Sequence, residues 1–169
     1  YTANRSMSDP AEDHYADVMN QYSEMLGICV LPIFYLEGES SCRHAGTGFL
    51  VATQQNDYLV SAAHVFNPYK ENKDLFFFVG DKKIRKLNGK LRVSEDPLDI
   101  GVLKLSDEHR PPYTEVNKKS LKITSLVSGQ LPRQGKQYMV TGFPASRSQP
   151  NWHFKEVKSE LRPFLSGSL

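Results

Sequence analysis

The stretch 46-GTGFLVATQQNDYLVSAAHVF-66 decides how this chain is read. Two short apolar runs, 47-TGFLVAT-53 and 57-DYLVSAA-63, flank the polar turn 54-QQN-56. Runs of this length and composition, bounded by turn residues, read as β-strands. Gly46 and Gly48 lie at the entry of the first strand, where glycine permits a bulge or close backbone packing. The second strand ends in His64, behind Ser61-Ala62-Ala63. A lone histidine at a strand end is more often structural than catalytic. Here small residues leave room for another element to approach its ring, so the question is whether the chain supplies a partner.

Further runs surround this pair: 28-ICVLPIFYL-36, 75-LFFFVG-80, 82-KKIRKLNGKLRV-93 and 98-LDIGVLKL-105, then 120-SLKITSLV-127, 137-QYMVTGF-143 and 154-FKEVKSELRPFL-165. Turn residues separate them at the spacing of a β-sandwich or barrel. Residues 106–119, SDEHRPPYTEVNKK, are polar and aperiodic and read as a linker between two strand groups. Residues 9–26 read as a helix, with Asp9 as N-cap, Pro10 at the first helical position and Glu12 completing a capping box. Tyr15, Val18, Met19, Tyr22, Met25 and Leu26 recur along it at helical spacing, and His14 falls on its polar side. The expected organisation is therefore 1–26 (a cloning remnant ahead of Met7, then the helix), 27–105 as a first barrel, 106–119 as linker and 120–169 as part of a second barrel. There is no internal repeat.

The 169 residues suit one domain or most of one, since β-barrel domains run to about 200–250 residues. A net charge of +2 gives no bulk argument for nucleic acid, and no apolar run approaches the roughly 18 residues a membrane helix needs. The charges of 82-KKIRK-86 fall mainly on a solvent face, and Phe76-Phe77-Phe78 reads as core. Neither nucleic acid nor membrane is expected as a partner. His44, His109 and His153 lack metal-ligand spacing, so neither metal nor cofactor is expected. Two cysteines, Cys29 and Cys42, are too few for a disulfide-stapled secreted domain, and no signal peptide is visible; the expected location is the cytoplasm.

Asp99, in 96-DPLDIGVLKL-105, is the candidate partner. An aspartate at a strand start is ordinarily satisfied by turn amides. A buried carboxylate there is costly unless paired, and an imidazole is a natural partner. Asp96 is a rival, expected to face the turn. Taken together, 46-GTGFLV-51 with 59-LVSAAHV-65, 99-DIGVLKL-105 and 139-MVTGFP-144 resemble, in order and spacing, the chymotrypsin-fold serine peptidases, on their bacterial trypsin-like and HtrA-type branch. The resemblance covers roughly residues 27–169. It implies an all-β fold of two antiparallel β-barrels behind an N-terminal helix. It also implies His64 as general base and acid, Asp99 as its orienting partner, and hydrolysis of peptide bonds through an acyl-enzyme.

The chain departs from that family at the nucleophile. No G-x-S-G-G or G-x-S-G-S turn is present. The nearest string, 164-FLSGSL-169, puts Phe164 where the first glycine belongs, and Ser166 follows Gly142 too closely for the usual strands. Ser146 and Ser148 read as loop serines. Val65 stands where secreted trypsins carry a cysteine, and neither Cys29 nor Cys42 lies in a nucleophile turn. The expectation is the N-terminal part of a trypsin-like serine endopeptidase, inactive alone, with the nucleophile and the strands that complete the second barrel in a further segment. Its partner is a polypeptide substrate. The competing reading is a non-catalytic trypsin-like module that binds a protein partner, and a third is a short peptidase using Ser166.

Overall fold

The computed structural model describes residues 26–38, 41–79, 83–94, 98–106, 118–125, 138–143, 149–151, 156–158 and 162–166, with residues 17, 20, 21 and 24 of the N-terminal helix. The helical residues Asp17, Asn20, Gln21 and Glu24 are exposed, as the polar side of the expected helix requires, and the helix continues to Gly27. Its expected cap at Asp9 and its apolar face before Leu26 lie outside the described residues.

The strands are β1 (Val30–Glu37), β2 (Ser41–Ala52), β3 (Asp57–Ser61), β4 (Leu75–Val79), β5 (Lys83–Leu87), β6 (Gly89–Val93), β7 (Gly101–Leu105) and β8 (Leu121–Lys122). Beyond them come β9 (Tyr138–Gly142), β10 (Gln149–Asn151), β11 (Glu156–Lys158) and β12 (Arg162–Ser166). The first sheet runs β5-β4-β1-β2-β3-β7-β6, antiparallel at every step of this order. Its two ends are neighbours in sequence: β5 stops at Leu87 and β6 starts at Gly89. One bent stretch therefore pairs with β4 through its first half and with β7 through its second. The sheet thus curls back so that its two end strands share one continuous stretch of chain, the frame of a partly closed barrel. Among the described residues the second strand group forms two antiparallel pairs, β9 with β12 and β10 with β11.

Period-two patterning fills the barrel. Leu50 lies opposite Leu59, Leu59 opposite Leu103 and Leu103 opposite Leu91, one row of the inward face. Ile33, Phe34, Leu50, Leu59, Phe66, Leu75, Leu87 and Leu103 are wholly enclosed. Phe34, Phe76 and Phe78 meet as an aromatic cluster: Phe34 and Phe78 edge to face at 5.2 Å, Phe34 and Phe76 stacked at 6.3 Å. Of the run read as core, Phe77 packs in the barrel interior, while Phe76 and Phe78 join Phe34 on the opposite face of the sheet.

Several segments differ from their sequence reading: β2 starts earlier, at Ser41, and the runs 82–93 and 154–165 are each divided into two strands. The run 98–105 becomes strand only at Gly101, leaving Asp99 and Ile100 in an irregular approach. The run 57–63 ends as strand at Ser61, and Ala63–Phe66 wind into a 3₁₀ turn that continues into a short helical turn, Asn67–Lys70. Among the described residues of the run 120–127, strand covers Leu121–Lys122, before a 3₁₀ turn at Ile123–Ser125. β8 adds to the first sheet rather than the second, parallel to β2 through Val51–Leu121 and Ala52–Lys122.

Leu103 lies between neighbours on two strands and has no exposed surface. Leu103→Ala should lower unfolding free energy by about 2–5 kcal/mol in denaturant titration, whereas Val102→Ala, on the opposite face, should cost well under half as much.

Candidate active site

His64 is set by its two neighbours. Val65 and Phe66 are both buried, and each occupies a notch left by a glycine. A methyl group on Gly46 would lie 2.5 Å from Val65 Cγ2, and one on Gly101 would lie 2.5 Å from Phe66 Cδ2. The second notch also admits the Ala63 backbone, whose Cα would stand 3.2 Å from that methyl. The small residues before His64 therefore serve close packing against the start of β7. At Gly46 the ladder between β1 and β2 slips: Ile33 opposes Gly46 and Phe34 opposes His44, leaving Ala45 as the extra residue of a β-bulge.

The structure brings His64 and Asp99 together. Asp99 Oδ2 lies 2.5 Å from His64 Nδ1, and Oδ1 accepts the backbone N–H of His64 at 3.1 Å. The Asp99 carbonyl accepts the N–H of Ala63 at 3.2 Å. One residue of the irregular approach to β7 thus holds two consecutive residues of the histidine turn. With its proton on Nδ1 the imidazole donates to the carboxylate, and Nε2 keeps its lone pair. The sequence argument for pairing assumed a buried carboxylate. Here the side chains are 66% (His64) and 53% (Asp99) exposed, so hydrogen bonds rather than burial hold the pair.

The hydrogen bond with the His64 ring is the main cause of a lowered Asp99 pKa, with the N–H groups of His64 and Ala63 acting the same way. The ionised carboxylate is favoured in the fold. Its stabilising effect is full above the ordinary value of 3.8 and is lost as pH falls through the lower folded value.

A cavity of about 330 Å³ opens beside His64, lined also by His44, Tyr35, Asn67, Glu71 and Lys73. Lys73 crosses it, bonded to Glu71 at 2.9 Å and 5.5 Å from the Tyr35 ring centre. His44 packs its ring against Phe34 at 5.2 Å, and its Nε2 is enclosed with no hydrogen-bond partner among the described residues. Burial lowers the His44 pKa, against a smaller opposing effect of the Gly46 backbone. The protonated ring is disfavoured in the fold, so the unfolded chain binds more protons and stability falls as pH drops below about 6.5. The thermal midpoint should fall between about pH 7.5 and pH 5.5, and His44→Leu should flatten that decline.

Contacts from Phe143 and from the end of the linker reach back to this part of the molecule. Thr47 Oγ1 accepts the N–H of Phe143 at 2.9 Å and donates to its carbonyl at 3.3 Å. The Thr47 carbonyl in turn accepts the buried Ser61 hydroxyl at 2.7 Å. Lys118 Nζ donates to the Gly27 carbonyl at 2.5 Å, at the end of the N-terminal helix, and lies 5.8 Å from the centre of the Phe143 ring. Sequence reasoning passed over Thr47, because a hydroxyl between two glycines carries no signal of a partner 96 residues away. Thr47→Val should cost about 1–3 kcal/mol and expose the Phe143 amide to hydrogen exchange, while Thr47→Ser should retain most of the protection.

The other candidates fall elsewhere. Ser166 ends β12, paired in its ladder with Tyr138 rather than set in a turn. Ser146, Ser148, Ser168 and Asp96 lie outside the described residues. Among the described residues the His64 side chain hydrogen-bonds to Asp99 alone. Cys29 and Cys42 are unpaired thiols. Burial pushes Cys42 up to about 11 and raises Cys29 despite Lys118 and Lys119 nearby, so neither is poised as a thiolate. No group of metal-binding side chains occurs among the described residues, and no described helix is long and apolar enough to cross a membrane.

A barrel of this topology, with a histidine turn braced by an aspartate ahead of the last strand, is that of a trypsin-like peptidase domain. Residues 46–167 match the trypsin-like peptidase domain family, and the chain belongs to it. The chain is also similar to the crystal structure of Deg5, at 17% identity and a TM-score of 0.46, over 95% of this chain and 64% of that one. It thus spans under two thirds of that protein's length. No curated protein sequence matches it.

Proposed function

We propose that this chain carries the histidine and aspartate of a serine endopeptidase, with the nucleophilic serine in polypeptide outside these 169 residues. The observation that carries this reading is the 2.5 Å contact between His64 Nδ1 and Asp99 Oδ2, with Oδ1 bracing the His64 backbone. Asp99 holds one tautomer and stabilises the imidazolium that forms. His64 Nε2 takes the serine proton as the hydroxyl attacks the scissile carbonyl, then returns it to the leaving amine. The substrate is a polypeptide, in keeping with the family.

A fluorophosphonate probe, read by intact mass on the full gene product and on residues 1–169, tests this. The full product should be labelled and this chain should not. His64→Ala should abolish labelling, and Asp99→Asn should slow it by roughly 10³–10⁴-fold through the wrong tautomer. An unlabelled full product would leave a trypsin-like module that binds a polypeptide without cleaving it.

A further inference from the structure

The outward face of β3, β7 and β6 carries a charge pattern that folding does not explain. Tyr58 lies opposite Lys104, and Lys104 opposite Lys90; in the next row Val60 lies opposite Val102, and Val102 opposite Arg92. Phe49, 37% exposed, extends that second row on β2. Directly opposed like charges in an antiparallel pair are destabilising. Among the described residues, Lys90, Arg92 and Lys104 have no anionic partner. With Tyr58 and Val102 they line a cleft of about 340 Å³. A local rule broken with no compensating contact is the signature of a surface kept for something other than stability.

We propose that this face docks an acidic segment of a polypeptide. Carboxylates would neutralise the Lys90–Lys104 opposition and reach Arg92, while apolar side chains of the same segment would lie along Val102, Val60 and Phe49. An extended segment alternating acidic and apolar side chains fits both. Nucleic acid fits less well: three cations beside an apolar lane are a small footprint for a phosphate backbone, and the chain's net charge is only +2. The face lies on the strands that lead into His64 and out of Asp99, with Lys104 on the order of 15 Å along the strand from Asp99. It does not depend on the peptidase reading.

The test is fluorescence anisotropy of a fluorescein-labelled peptide of alternating glutamate and valine, titrated with the 169-residue chain at low and physiological salt. Saturable binding that weakens with salt is expected. Lys90→Glu with Lys104→Glu should weaken it by about tenfold or more, and the milder Arg92→Gln by about threefold. Lys86→Gln, whose lysine is paired with Asp74 at 2.7 Å on another part of the barrel, should leave it unchanged. His64→Ala should bind as the parent does, which separates this result from that of the labelling experiment. Absence of saturable binding, equal binding of a glutamine–valine peptide, or tighter binding of single-stranded oligothymidylate at the same salt would each overturn the proposal.

Discussion

Two buried side chains, Val65 and Phe66, fix the geometry on which the site depends. They are consecutive residues of one 3₁₀ turn, both buried in the barrel, and the residue before them is left exposed. Each plug fits because its socket is a glycine, one on β2 and one at the head of β7. The same approach of β7 that seats Phe66 delivers Asp99 to the histidine, so packing and pairing are set by one backbone crossing. The position of the imidazole therefore comes from core packing, and the hydrogen bonds to Asp99 select its orientation and tautomer.

Much of this was legible in the sequence because its signals are local. The alternation in 101-GVLKL-105 and the glycine-rich opening of β2 announce strands, and the order of His64 and Asp99 announces a pair. What stayed hidden depends on non-local geometry. The glycines at Gly46 and Gly48 allowed a bulge, but its place at Ala45 comes from the register between two strands, which no single run reveals. The Thr47 contact with Phe143 joins residues far apart in the chain. The break at Asn88 divides one predicted strand into two, which lie at opposite ends of the sheet order. The assumption that Asp99 is buried failed because an aspartate just ahead of a strand sits on the rim, where its carboxylate finds donors without leaving water.

Charge on this barrel also had to be read in register rather than along the chain. The conspicuous run 82-KKIRK-86 is partly spoken for, since Lys86 pairs with Asp74. The quieter alternation in 89-GKLRV-93 gathers more charge in space, because the next strand sets Lys104 directly against Lys90. A pattern of period two looks dilute in sequence and becomes dense once strands lie about 5 Å apart.

The short parallel pairing of β8 with β2 has a consequence for the integrity of the chain. Before the second strand group begins, the polypeptide has come back to the first sheet at Val51 and Ala52, tied the end of the N-terminal helix through Lys118, and bonded Lys119 N–H to the Ile28 carbonyl at 2.8 Å. The connection between Ser106 and Lys118 is thus spanned by non-covalent ties on its far side. A backbone cut within it would leave in place the ties that hold the following residues to β2, Gly27 and Ile28.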